Sequence, residues 1–209
     1  MMPFTLISLA AVVSGNTNII MLGQLSDAEQ VGIYRVALQG SLLVTFSLQV
    51  VNAIITPQIA ALYAGGKLAE LQTLVRRSAR LITLTALPAA VLLVLIGEWL
   101  IVTLFGPAYA ASYLPMTALA CGTLVTAMFG SLAQLLEMTG NERETARALW
   151  LTTGANVLLN FVLIPQLEAL GAAIATACSV VMWNILLYRK VRSKLGINPT
   201  VLSKAEVSK

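Results

Sequence analysis

Six stretches of the chain are apolar for long enough to cross a bilayer, and short polar segments separate them. The runs are Met2 to Leu22, Val31 to Ala53, Leu81 to Phe105, Tyr113 to Met138, Ala148 to Ile164 and Gly171 to Tyr188. A helix rises about 1.5 Å per residue, so crossing a hydrocarbon layer about 30 Å thick takes about 20 apolar residues. No water is present there to satisfy backbone N–H and C=O groups, and the helix bonds its own. The predicted fold class is therefore all-α: a multi-pass membrane helix bundle of about six transmembrane helices over residues 1–195, followed by a polar tail over 196–209.

Details of the pattern refine these elements. Helix two is expected to continue past the membrane through Pro57 to Tyr63, until Gly65-Gly66 break it. From Lys67 to Leu81 the pattern changes. At about 100° per residue Leu68, Leu71, Val75 and Ile82 fall within roughly 60° of one another, with Arg76, Arg77 and Arg80 turned away. That predicts an interfacial helix lying on a charged membrane face. The first run has small residues around Val13 to Gly15 but no Lys or Arg ahead of it, and it stays apolar through Ile19, Ile20 and Met21. It reads as a span rather than a cleaved signal peptide.

Composition narrows the function classes. The chain of 209 residues is 58% hydrophobic and 11% charged, against roughly a quarter charged in soluble domains. Its mean hydropathy is +0.85. After six helices no room is left for a separate soluble domain. There is no His and there are 2 Cys, so zinc clusters and His-based triads cannot be assembled. No metal site and no cofactor are expected. Cys121 and Cys178 lie within apolar runs, where buried free thiols are expected.

The basic residues orient the bundle. With a cytoplasmic amino terminus, six spans place Lys67, Arg76, Arg77, Arg80, Arg143, Arg147, Arg189, Lys190, Arg192, Lys194, Lys204 and Lys209 all on the cytoplasmic side, leaving only Arg35 outside. Both termini are then cytoplasmic. The net charge of +4 implies contact with membrane lipids and not with nucleic acid. Trp99, Tyr109 and Tyr113 would form an outer aromatic girdle, Tyr63 and Tyr188 an inner one.

Polar side chains inside spans show which faces avoid lipid. On helix two, Arg35, Gln39, Thr45, Gln49, Asn52 and Thr56 occupy an arc of roughly 140°. This stripe reads either as a cavity lining or as interhelical hydrogen bonding. Helix one offers Ser14 and Asn18 one turn apart. On helix four, Thr123, Thr126, Gly130, Gln134 and Glu137 share an arc of roughly 80°. Glu137 reads first as a snorkelling interface acid, and it is also the candidate to couple transport to a proton or cation. Helix five presents Thr152, Asn156 and Asn160 on one side, and helix six a packing seam of Gly171, Ala175 and Ser179. Glu98 beside Trp99 reads as an exposed interface acid. No pair of carboxylates can be placed for acid–base chemistry, so there is no catalytic site and the chain is not read as an enzyme.

Four segments together carry a family resemblance: NIIMLGQLSDAEQVGIYRVA, PQIAALYAGGKLAELQ, LPAAVLLVLIGEWLIVTLFGPAYAASYLPMTAL and TGANVLLNFVLIPQLEALGAAIATACS. Their order resembles the polysaccharide-biosynthesis flippases, the O-antigen-type lipid-linked oligosaccharide exporters of the superfamily that includes multidrug and toxin extruders. The chain looks like the carboxyl-terminal half of such a twelve-helix transporter. The resemblance implies export of undecaprenyl-diphosphate-linked oligosaccharide across the inner cell membrane by alternating access, with a missing amino-terminal half or a second copy as partner. The implied substrate surface is Arg35 with Gln39, Gln49, Asn52 and Asn18. The family often carries Asp where this chain has Asn18, which removes a charge from that position. A drug or cation antiporter of the same fold is the alternative, though the only acids within the spans, Glu137 and Glu98, stand near their ends. A non-transporting membrane fragment is the other alternative. A membrane glycosyltransferase would need a large catalytic loop, and the outer connections are short.

Overall fold

The computed structural model describes residues 16–197, all helix and short connections. Most of the first predicted span and the tail from 198 lie outside the described residues. Helix α1 covers 16–25. Helix α2 runs from Ala28 to Ala64 and α3 from Leu68 to Phe105. A 3-10 turn, Pro107–Ser112, leads into α4, Tyr113–Phe129. A short α5, Leu132–Met138, precedes α6, Glu142–Leu195. Helix α2 packs on α3 and α4, and α4 packs on α6. Four helical stretches among the described residues are long and apolar enough to cross a membrane.

Polarity is arranged inside out relative to a water-soluble protein. Leu84, Leu95 and Leu158 are 69%, 75% and 69% exposed, whereas Asn18, Asn156, Asn160, Asn184 and Thr152 are buried. So much outward-facing apolar surface requires lipid around it. The all-α membrane bundle follows from this arrangement.

Three local features depart from the sequence pattern. Lys67 to Leu81 is not a separate interfacial helix: α3 is continuous from Leu68 to Phe105, 38 residues that reach about 57 Å. Leu71, Val75 and Ile82 bury against the bundle while Leu68 stays exposed, so most of the apolar face covers protein. Second, the stretch expected as one helix from Tyr113 to Met138 breaks at Gly130, which has φ +72 and sits where a Cβ would lie 2.8 Å from that of Ala79 on α3. Ser131 then donates a hydrogen bond to the Asn52 side-chain oxygen. Third, Cys121 and Cys178 are exposed on the outer surface. In lipid a thiol needs no burial.

The sixth helix folds back on itself. Only Glu168 leaves helical geometry, at φ 51, ψ −126. Lys190 nevertheless lies 2.8 Å from Glu144, which a straight helix of that separation would hold about 70 Å apart. The arms 142–167 and 169–195 are therefore antiparallel. Gly171 makes the reversal possible, because a Cβ there would meet the Leu163 carbonyl oxygen at 2.3 Å. The Ala169 N–H also donates to Gln30 Oε1 at 3.4 Å, which ties the turn to the start of α2.

Contacts between elements define two ends. The reversal at Glu168, the start of α2 and the Phe105–Tyr109 ring pair mark one. The Ala79–Gly130, Asn52–Ser131, Phe129–Tyr188 and Glu144–Lys190 contacts mark the other. Lys67, Arg76, Arg77, Arg80, Arg143, Arg147, Arg189, Lys190, Arg192 and Lys194 gather at the second end. Arg35 is the one basic residue, among those described, near the first.

Two predictions follow from the reversal. The dihedrals of Glu168 suit glycine, and a non-glycine residue there costs about 1–3 kcal/mol. After about 0.5–1 kcal/mol for the freedom of an unfolded glycine, Glu168→Gly should stabilise the protein by about 1 kcal/mol. Gly171→Ala should destabilise it by about 1–3 kcal/mol through overpacking. Thermal melts in detergent read both, and a Glu168→Gly variant that melts below wild type would refute the strain.

The hydrogen bond from Lys190, opposed by partial desolvation and aided by the charges of Lys190, Arg147 and Lys194, holds the Glu144 carboxyl below the usual carboxylate range. A depressed native value means that the stabilisation is complete above the ordinary value of 4.5 and is lost as pH falls through the native one. The stability difference between wild type and Glu144→Gln is expected to be about 0.2–1 kcal/mol at pH 7 and to vanish with acidification below about 4.5. A pH-independent difference in melting temperature would contradict this linkage.

Candidate functional site

Two adjoining cavities open on one side of the bundle. The first, of about 230 Å³, lies among α1 and the two arms of α6, with Asn18, Thr152, Asn156, Thr176, Ser179 and Trp183 in its wall. The second, of about 330 Å³, lies among α2, α4 and the second arm, where Gln39, Thr45, Thr123 and Thr176 supply its polar groups. Thr176 and Val180 line both. The reversal at Glu168 creates the first cavity by bringing residues 149–156 opposite residues 176–183.

A hydrogen-bonded cluster forms its floor. Asn160 Nδ2 donates to Asn18 Oδ1 at 2.6 Å and to Asn156 Oδ1 at 3.0 Å. Asn18 Nδ2 donates to Thr176 Oγ1 at 2.9 Å. Thr176 spends its proton on the Ala172 carbonyl at 2.8 Å, so the Tyr34 hydroxyl, 3.0 Å away, is the donor to Thr176. Every member is uncharged. Asn160 is 0% exposed and its Oδ1 has no donor among the described residues, so an acceptor stands open at the centre of the cluster. A second tie holds α4 to the second arm, where Asn184 Nδ2 donates to Thr126 Oγ1 at 2.9 Å.

The residues singled out from the sequence separate into four groups. Asn18 is buried in the cluster. Gln39 is exposed and borders the second cavity, with Arg35 exposed one turn away and Gln49 exposed further along the same face. Asn52 is half-buried and turns to Ser131 at the break after α4. Glu137 is half-buried on α5. The break at Gly130 cuts the polar arc expected from Thr123 to Glu137, so its two parts are not one helix face. Among the described residues no group of His, Cys, Asp and Glu comes together to hold a metal.

The outward face of α2 has a mixed character. Arg35, Gln39, Leu42, Leu43, Phe46, Gln49, Val50 and Ile54 are all exposed, and they recur at helical spacing along one side. Apolar and polar groups thus share a face that the bundle leaves uncovered. Sequence reasoning missed Thr176 and Tyr34. A single threonine within the small-residue run Gly171 to Ser179 was the available signal for the first; for Tyr34, next to Arg35, there was none.

Comparison with known proteins fits this geometry. The chain is similar to the probable flippase AglR of Haloferax volcanii, 29% identical over 187 residues that cover 87% of the chain and 39% of the relative. It therefore spans well under half the length of that curated relative. The profile of the polysaccharide biosynthesis protein family matches residues 1–114, which include α1, α2 and α3 with the exposed polar face of α2. Because that match takes in more than half of the 209 residues, the chain belongs to the polysaccharide biosynthesis protein family.

Proposed function

We propose that the chain forms one wall of a flippase that moves a lipid-linked oligosaccharide, of the undecaprenyl-diphosphate type, across the inner cell membrane by alternating access. The carrying observation is the uncovered face of α2, where Arg35, Gln39 and Gln49 are exposed and Gln39 borders the second cavity. A charged side chain facing lipid at mid-membrane costs about 2.5–3.5 kcal/mol, less near an end where it snorkels. Such a face calls for a second wall. The missing amino-terminal half, or a second copy, packs against it, and a polar passage between the two walls accepts sugar and diphosphate while the polyprenyl tail stays in lipid.

Roles for individual residues follow from their chemistry. Arg35 offers a planar guanidinium that pairs two phosphate oxygens at once. Gln39 and Gln49 hydrogen-bond sugar hydroxyls along the same face, and Asn18 shapes the first cavity through its bonds to Asn160 and Thr176. Asn52 contributes at the far end of that face, where Ser131 holds its side chain. Glu137 is the coupling candidate. The bundle crosses six times, with α1, α2, α3, α4–α5 and both arms of α6 as the crossings, and its basic end faces the cytoplasm. The reading is one of transport without covalent chemistry.

Arg35→Ala should lower flipping of a lipid-linked oligosaccharide at least about tenfold, the scale of one lost charged hydrogen bond, with membrane abundance unchanged. Arg35→Lys should recover only part of the rate, because an ammonium cannot make the bidentate pair. Transport by Arg35→Ala at the wild-type rate would remove this role.

Reconstituted as a strict monomer, the 209-residue chain should leave lipid-linked oligosaccharide unflipped, and flipping should appear when a second half or second copy is present. Mass measurement of the detergent complex beside a flipping assay tests this. Appreciable flipping by the monomer would defeat the two-wall mechanism.

A further inference from the structure

At the basic end, on the outer side of α6, a groove of about 610 Å³ is lined by Phe129 at the end of α4 and by Ile185, Tyr188, Arg189, Arg192 and Ser193 of the second arm. We propose that this groove is a binding site for an anionic phospholipid, its phosphate between Arg189 and Arg192 and an acyl chain along Phe129 and Ile185. The proposal goes beyond the transport reading and does not depend on it.

The helix itself sorts the two surfaces. At about 100° per residue Thr176, Ser179, Val180 and Trp183 point to the cavity side, and Ile185, Tyr188, Arg189 and Arg192 centre roughly 180° away. The groove therefore faces out of the bundle, away from the cavities. Along that outer face the order is apolar and then cationic. Cys178 and Ile185 are exposed, the latter by 40%, and Arg189 and Arg192 follow within two turns toward the helix end. The same order, tail and then charged head, runs along a phospholipid that enters the interface from the hydrocarbon layer.

Charge and floor agree with that occupant. Lys190, on another side of the helix, is neutralised by Glu144 at 2.8 Å. Arg189 and Arg192 take part in none of the ion pairs among the described residues, and both are exposed. Like charges one turn apart repel, and a phosphate between them reverses that energy. The Phe129 and Tyr188 rings meet edge to face at 5.8 Å, which gives the groove an ordered aromatic floor. A free phosphate would leave this floor uncovered, whereas a lipid covers it and the cations together.

Native mass spectrometry of the 209-residue chain in detergent, titrated with dioleoyl phosphatidylglycerol or dioleoyl phosphatidylcholine, tests the site. Retained phosphatidylglycerol adducts are expected, with phosphatidylcholine held far more weakly. A basic residue near an anionic lipid surface is worth about fivefold in affinity, so Arg189→Gln with Arg192→Gln should weaken phosphatidylglycerol roughly twentyfold. The charge-matched pair Arg77→Gln with Arg80→Gln, at the same end, should change it little. Far-UV circular dichroism confirms that each variant is folded. Equal loss from both pairs would reduce the effect to general attraction by the basic end and overturn the site. So would phosphatidylcholine binding as tightly as phosphatidylglycerol. Displacement of the lipid by millimolar inorganic phosphate would assign the arginines to a soluble anion, and displacement by a polyprenyl diphosphate would assign the groove to the transported lipid; either result overturns the proposal.

Discussion

A bilayer offers no hydrogen bonds to a buried amide or hydroxyl, and the architecture follows from the need to satisfy such groups inside the bundle. Leu84, Leu95, Phe46 and Phe161 stand on the outer surface, and Asn18, Asn156, Asn160, Asn184 and Thr152 turn inward. Most threonine hydroxyls return to a carbonyl one turn earlier on their own helix, as Thr123 does to Leu119 and Thr152 to Ala148. A carboxamide carries more polar groups than one local carbonyl can satisfy, and Asn184, bonded to Val180 on its own helix, also reaches Thr126 on α4. Asn160 bonds Asn156 one turn away on its own arm and Asn18 across helices and, with Thr176 and Tyr34, these bonds join α1 and α2 to both arms of α6. Each such bond contributes only about 0.6 kcal/mol on average in a membrane, so its larger effect is to select one rotation and register of the helices.

Against that background the outward face of α2 is the exception. Arg35, Gln39 and Gln49 stand there without partners among the described residues, and Gln39 borders the second cavity. Sites where a protein departs from its own packing rule are where function is to be sought. The bundle thus has one face suited to lipid, one interior closed by carboxamides, and one face on α2 where exposed polar and apolar groups are mixed.

The second arm of α6 divides these regions. On one side it supplies Thr176, Ser179 and Val180 to the cavities, and on the other it carries Ile185, Arg189 and Arg192 toward the membrane interface. The separation rests on helical geometry and on the seam of Gly171 to Ser179, whose small side chains let the arm approach its neighbours closely.

The fold class was legible in the sequence because hydrocarbon imposes a long, plain signal: about twenty apolar residues make a helix whatever surrounds them. The end of α2 at Gly65-Gly66 and the polar stripe that begins at Arg35 were equally legible, since chain breaks and 3.6-residue periodicity are local properties. Four features were decided only by the tertiary structure. Lys67 to Leu81 shows an amphipathic face whether its apolar side meets lipid or protein, and only packing on the bundle chose protein. Gly130 breaks its helix where Ala79 approaches, a contact made across 51 residues. The single-residue reversal at Glu168 depends on Gly171 meeting the carbonyl of Leu163, which no periodicity reports. The joining of Asn18 to Thr176 spans 158 positions. Sequence carries what each segment prefers alone; which polar group meets which is set by distances that exist only once the helices have packed.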